Sequence, residues 1–279
     1  MLDDPIPVML GLASAFSWGS GDFVGGLASK HSNVLTVVTI SQIVGLATLA
    51  LLGLLVGEPP PDTGTLLWSS AAGLAGGAGL IALYSALAMG EMGVVAPVTG
   101  VVTAAVPVIF GISLEGFPTL WQFIGFLLAI GGVGLVTGFD KFSTIRAGLV
   151  RGLLAGIGFG LFLVFIGQVG EEYFFWPLTT SRCVTVAASI ALAVVRNTGF
   201  NTEPKVLPLL MLGGLLDSGG SGFFLLARHA TRLDISAVLS SLYPIATVML
   251  AYIILKEKPT PTKTAGIALA MAAIPLIKS

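Results

Sequence analysis

Ten stretches long enough to cross a lipid bilayer constrain this chain more than any other feature. Bilayer hydrocarbon is about 30 Å thick and a helix rises about 1.5 Å per residue, so about 20 apolar residues span it. Punctuated by Gly, Pro and charged residues, such stretches run roughly over 7–28, 34–56, 65–89, 93–114, 118–138, 147–169, 174–196, 206–229, 234–255 and 262–277. The longest polar connections, Phe139–Arg146 and Asn197–Lys205, are too short to fold alone, so no separate soluble domain is expected. Over all 279 residues, 55% hydrophobic and 10% charged, the mean hydropathy is +0.98. That lies outside the soluble range. The expected fold is an all-α polytopic membrane protein with ten transmembrane helices.

Other classes fall away on charge and motif. With 13 Lys+Arg against 14 Asp+Glu the net charge is −1, whereas binding a polyanion needs a clustered basic surface. No nucleic-acid partner is expected. One cysteine, Cys183, allows no internal disulfide, and His31 and His229 fit no zinc spacing, so neither a metal nor another cofactor is expected. Neither a Walker A sequence nor HExxH is present. Asp62-Thr63-Gly64 and Asp217-Ser218-Gly219 resemble an aspartic-protease signature, but one falls in a turn and the other inside a segment. The opening "MLDDPIP" lacks a positive n-region, so the first segment is read as a retained helix despite the cleavage-like Ala13-Ser14-Ala15.

The chain also repeats itself. A shift of 141 lays "GLASAFSWG" (Gly11 to Gly19) on "GLLAGIGFG" (Gly152 to Gly160), matching Gly11, Ala15 and Gly19 with Gly152, Gly156 and Gly160, and Trp18 with Phe159. At a shift of 140, "VVTIS" (Val37 to Ser41) falls on "PLTTS" (Pro177 to Ser181), and at 142 Glu115 falls on Glu257. Shifts of 140 to 142 from end to end imply a duplication of five helices, 1–140 and 141–279. Five is odd, so the second copy enters the membrane from the opposite side, an inverted repeat. Two such halves can rock about a site at the midplane.

These features resemble the ten-helix EamA-type members of the drug/metabolite transporter superfamily over essentially the full length. The resemblance is carried by "SWGSGDF" (Ser17 to Phe23), "ALYSALAMG" (Ala82 to Gly90) and "SSLYPIATVMLAYIILKEKPTPTKTAGIALAMAAI" (Ser240 to Ile274). The last holds a proline in the ninth helix (Pro244), a glutamate at the following turn and a glycine in the tenth. In the first half Val102 stands opposite Pro244, with prolines at Pro97 and Pro107 instead, a departure from strict symmetry. The resemblance implies a multi-pass protein of a bacterial inner membrane, with a substrate cavity between the halves lined mainly by helices 1, 3, 4, 6, 8 and 9.

Asp217 falls near the centre of the eighth segment. A charged carboxylate at bilayer depth costs about 2.5–3.5 kcal/mol on insertion scales, so it faces the interior, finds a partner or protonates. It is the leading candidate to border water, substrate or a coupling proton; a structural hydrogen bond is the plainer alternative. Ser218 and Ser221, three apart, can line the same wall. Asp22 in the first segment is a second candidate for substrate binding or proton coupling, and Arg182 in the seventh can neutralise Asp217 or Asp22 or hold a substrate carboxylate. Trp18, Tyr84, Phe159 and Tyr243 belong to segments that the resemblance places around the cavity, where rings suit an apolar or aromatic substrate. Gly11, Gly19, Gly152, Gly156 and Gly160 are assigned to close helix packing, and Pro244 is taken as structural. Glu115 and Glu257, before Pro118 and Pro259, are read as caps of the next helix.

Sorting Lys and Arg by connection places nine on one side and three, Arg228, Arg232 and Lys278, on the side carrying both termini. Positive-inside places the termini outside, whereas the resemblance implies cytoplasmic termini. The functional expectation is a secondary transporter of a small organic metabolite, such as an amino acid leaving the cell, working by alternating access. The alternatives are a membrane-embedded enzyme acting on a lipid-linked substrate and a non-transporting scaffold. The expected partners are a small solute and the lipid bilayer; monomer and homodimer are both open.

Overall fold

A computed structural model describes residues 5–88, 92–137, 146–256 and 260–278. In hydrocarbon every backbone N–H and C=O must find its partner inside the protein, which favours helices. The described residues form eleven α-helices and one 3₁₀ turn, with no strand among them. These are α1 (Ile6–Ala28), α2 (Val34–Val56), α3 (Thr63–Ala88), α4 (Met92–Glu115), α5 (Leu120–Thr137), α6 (Arg146–Ile166), α7 (Phe175–Val195), α8 (Leu207–Ala230), α9 (Leu233–Ser240), α10 (Tyr243–Leu255) and α11 (Pro261–Lys278). The 3₁₀ turn, Pro204–Val206, leads into α8.

Helix occupies each of the ten stretches, with one correction. The ninth is two helices, α9 and α10, separated at Ser241–Leu242. Pro244 stands in the first turn of α10: it has no N–H to donate and its ring crowds the preceding turn, so an unbroken helix is disfavoured there. Among the described residues six spans are long and apolar enough to cross a membrane by themselves, namely 34–56, 63–88, 98–115, 175–195, 204–230 and 233–254; three shorter apolar helices lie over 120–135, 150–166 and 261–277. Helix α1 is in neither group. Two of its polar side chains are instead satisfied by α8: Ser14 Oγ donates to the Gly220 carbonyl at 2.8 Å and Ser17 Oγ to that of Leu216 at 2.6 Å.

Packing follows the duplication. Helix α1 packs along α8 and α3 along α6; α1 meets α9 and α10 as α6 meets α4; α2 lies on its own counterpart α7, and α5 on α11. Exchanging the two halves maps these contacts onto one another, as a two-fold relation requires. Single residues repeat the pattern. A Cβ at Gly73 would strike the Ser181 backbone, and one at Gly214 would strike that of Ser41; both pairs are related by the repeat. The glycine strips seat neighbouring side chains in the same way. Gly152, Gly156 and Gly160 face Val98, Val102 and Val106 of α4, Gly11 faces Leu239 of α9, and Gly19 faces Tyr243 and Ala246 of α10. Small residues at this spacing let backbones approach where lipid offers no hydrophobic drive to association.

Candidate functional site

Where the halves meet, a cavity opens at mid-height of the bundle, with about 50 Å³ accessible to the centre of a water-sized molecule. One ordered water needs about 10–15 Å³ on this measure, so the space holds several waters or a small solute. Its polar wall is formed by Asp22, Arg182, Asp217 and Ser221, with Thr103, Thr185, Ser241 and Tyr243; Trp18, Leu80, Phe159, Phe162 and Leu163 form the apolar wall. Helices α1, α3, α4, α6, α8 and α10 contribute. So does α7, which the family resemblance did not place at the cavity.

Asp217 is held from two sides. Arg182 Nη2 lies 2.9 Å from its Oδ2, and Gln42 Nε2 donates to the same oxygen at 2.8 Å. Gln42 and Arg182 are repeat partners at a shift of 140, so equivalent positions on α2 and α7 converge on one carboxylate. Arg182 Nη2 also donates to Ser221 Oγ at 2.5 Å, and its guanidinium carbon lies 5.9 Å from the centre of the Phe162 ring, within cation–π range. The Asp217 carbonyl accepts from Trp18 Nε1 at 3.2 Å and from Ser221 Oγ at 3.0 Å. The arginine side chain is 5% exposed and the aspartate 21%, so the carboxylate, more than the guanidinium, fronts the open space. A buried ion pair is tolerable only when its remaining valences are bonded, and Gln42 and Ser221 provide much of that bonding. Arg182 Nε remains buried without a partner among the described residues.

Asp22 is treated differently. It lines the same cavity, yet it makes no hydrogen bond or ion pair among the described residues. It lies within electrostatic reach of Asp217, Tyr84 and Tyr243. Two buried hydroxyls on the lining, Thr103 Oγ1 and Tyr243 Oη, lie within reach of each other and have no other hydrogen-bond partner among the described residues.

The structure separates the remaining sequence candidates. Ser218 and Ser221 do not share a wall: Ser221 lines the cavity, whereas Ser218 Oγ is buried over Gly45 of α2. The residues are three apart, and intervening helix rotation turns Ser218 towards its neighbour. Tyr84 is off the lining, its ring packed over Gly25 of α1, and Leu80 one turn away takes the lining position. Trp18, Phe159 and Tyr243 are on it.

Glu115 does not cap the following helix. Thr119 and Gln122 do, in a reciprocal capping box. Glu115 reaches into the second half instead, 2.9 Å from Arg228 Nη2, and accepts the Leu233 amide at 3.0 Å at the start of α9. Arg232 donates to the carbonyls of Glu115 and Gly116 and holds Asp234 at 2.7 Å. Glu257 lies outside the described residues. On the same end of the bundle Glu58 accepts from the amides of Phe174, Phe175 and Trp176 at the start of α7.

Sequence reasoning missed Gln42, Thr103, Phe162 and Thr185. Gln42 had a usable signal, since it is polar, lies mid-segment and falls on Arg182 in the repeat. The other three carry no charge and look like any residue of an apolar helix.

Comparison with known proteins agrees with this architecture. The model of the EamA-like transporter family matches the chain twice, over residues 5–138 and 146–279. No curated protein matches it in sequence. A solved structure described only as "Crystal structure of protein" superposes with a TM-score of 0.72 at 16% identity, covering 97% of this chain and 95% of that one; at that identity the likeness establishes a shared fold. Matched in both halves across nearly its whole length, the chain is an integral, multi-pass membrane protein that belongs to the EamA-like transporter family.

Proposed function

We propose that this protein is a secondary transporter that carries a small organic metabolite across a membrane by alternating access, binding it in the cavity between the two five-helix repeats. The observation that carries this reading is the placement of polar groups. Charged side chains at bilayer depth are costly unless they face a wet interior, and here they converge on one cavity at the seam between pseudo-equivalent halves. Rocking one half against the other would expose that seam to each side in turn, with the solute shifting populations rather than undergoing chemistry. The Glu115–Arg228–Arg232 cluster ties the end of α4 to the α8–α9 turn at one end of the seam, where a closed state needs cross-links that the opposite state gives up.

Reconstitution into liposomes tests the reading. Solute-driven counterflow should appear for at least one class of small metabolite and disappear when Asp22 is neutralised or Ser221 is enlarged so as to fill the cavity. Flux no greater than in empty liposomes across amino acids, amines, sugars and nucleobases, with folded protein verified, would refute it.

A further inference from the structure

The charges in the cavity do not balance. Among the described residues Arg182 is the one cation on the lining, and it is committed to Asp217, with Gln42 on the same carboxylate oxygen. That pair is internally neutral and makes few demands on a ligand. Asp22 has no such partner among the described residues. In a low-dielectric cavity a carboxyl without a counter-charge either holds a proton or takes a cation in its place.

Two hydroxyls nearby say which kind. Thr103 Oγ1 on α4 and Tyr243 Oη on α10 are 3% and 7% exposed residues that line the cavity within reach of each other, with no other hydrogen-bond partner among the described residues. They stand on α4 and α10, equivalent helices of the two halves, and so approach the cavity from both of them. Their hydroxyl oxygens are acceptors as well as donors. Together with the Asp22 carboxylate they offer an N–H-bearing cation three acceptors, which a quaternary ammonium could not use. The rest of the wall is apolar: Trp18 and Phe159 present rings, whose faces attract cations.

Resting on the transporter reading above, we infer that the cavity binds a small protonated primary amine, its ammonium held by Asp22, Thr103 and Tyr243 and its apolar body against Trp18 and Phe159. Arg182 and Asp217 are then a positioning pair that shapes the wall. A zwitterion is disfavoured because its carboxylate would have to displace Asp217 from Arg182.

Four compounds with one apolar body and different charge test this on the full-length protein in lipid nanodiscs: 3-methylbutylammonium, leucine, 4-methylpentanoate and 3-methylbutan-1-ol. By calorimetric titration, the ammonium should bind most tightly. Asp22→Asn should weaken it by about tenfold or more, the loss of one charge-assisted hydrogen bond. Asp22→Glu should retain the preference for the cation, and Thr103→Val and Tyr243→Phe should each weaken the ammonium more than the alcohol. Tighter binding of leucine or 4-methylpentanoate would overturn the inference, as would equal binding of alcohol and ammonium, or ammonium affinity unchanged in Asp22→Asn. The wild-type charge series keeps the test decisive if a variant fails to fold. Proteoliposome flux separates the two readings. Binding of the ammonium through Asp22 without any flux would keep the site and remove transport; binding and flux of leucine alone would keep transport and remove the amine assignment.

Discussion

Breaking the Arg182–Asp217 pair from one side should harm the protein more than deleting it. Removing one partner of a buried ion pair costs about 3–5 kcal/mol, because a charge is left buried and uncompensated. For Asp217→Asn the lower end applies. Arg182, at 5% exposure, loses its counter-charge, but keeps Ser221 Oγ at 2.5 Å and the position 217 carbonyl, and the amide still offers Gln42 or Arg182 an acceptor. A loss of about 3 kcal/mol follows, or about 6–10 °C in melting temperature for a chain of this size. Arg182→Met leaves the more exposed Asp217, 21%, with Gln42 and cavity water, and should lose about 2 kcal/mol. The double variant Arg182→Met/Asp217→Leu removes both desolvation penalties and strands only uncharged partners, Gln42 and Ser221. It should lie within about 1 kcal/mol of wild type, so the two substitutions are strongly non-additive. Thermal unfolding of the four proteins in one detergent closes the cycle. A coupling below about 0.5 kcal/mol, the level seen for independent sites, would refute the claim that this pair is an isolated, mutually compensating unit.

Other outcomes follow from the packing and the caps. Gly73→Ala and Gly214→Ala should each destabilise by about 1–3 kcal/mol, because the added methyl meets the rigid backbone of Ser181 or Ser41; Gly131→Ala, whose methyl would meet only Leu269 at an ordinary 3.6 Å, should be neutral or stabilising in the same melting assay. Glu115→Gln should lower stability by about 1 kcal/mol, discounted because its partners are about a quarter exposed, and high salt should shrink that difference. Asp62 caps α3 by accepting the Thr65 amide at 2.7 Å, and a hydrogen bond from the Thr65 side chain, with that amide second, holds its carboxyl below the ordinary value of 3.8. A carboxylate depressed in the folded state contributes above its unfolded value and loses that contribution as pH falls through the folded one. Acid-unfolding curves of wild type and Asp62→Asn should therefore differ at neutral and mildly acidic pH and converge only below pH 3.8.

Much of the architecture was legible because the solvent imposes it. In hydrocarbon the chain has few ways to satisfy its backbone, so runs of about twenty apolar residues announce helices, and the 140 to 142 shifts announce that two sets of five helices are related. The break in the ninth stretch was also within reach, since Pro244 names its own position, although how far a proline bends or splits a helix depends on what its neighbours can satisfy. The serines show where legibility ends. Ser218 and Ser221 are equally polar and three apart on one helix, but only the rotation of α8 against α2 turns one into the cavity and the other onto Gly45.

The sequence by itself determined that this is a duplicated helical membrane protein with carboxylates and a guanidinium at bilayer depth, because both facts depend only on which residues lie within apolar runs. Only the tertiary structure decided which carboxylate is neutralised. Asp217 is separated from Arg182 by 35 positions and from Gln42 by 175, and nothing local favours that pairing over Arg182 with Asp22. A helix fixes its side-chain directions only relative to its own axis. The rotation of each axis against its neighbours is set by close contacts such as Gly73 on Ser181 and Gly214 on Ser41, and it is that rotation which couples one aspartate to arginine and leaves the other facing the cavity alone.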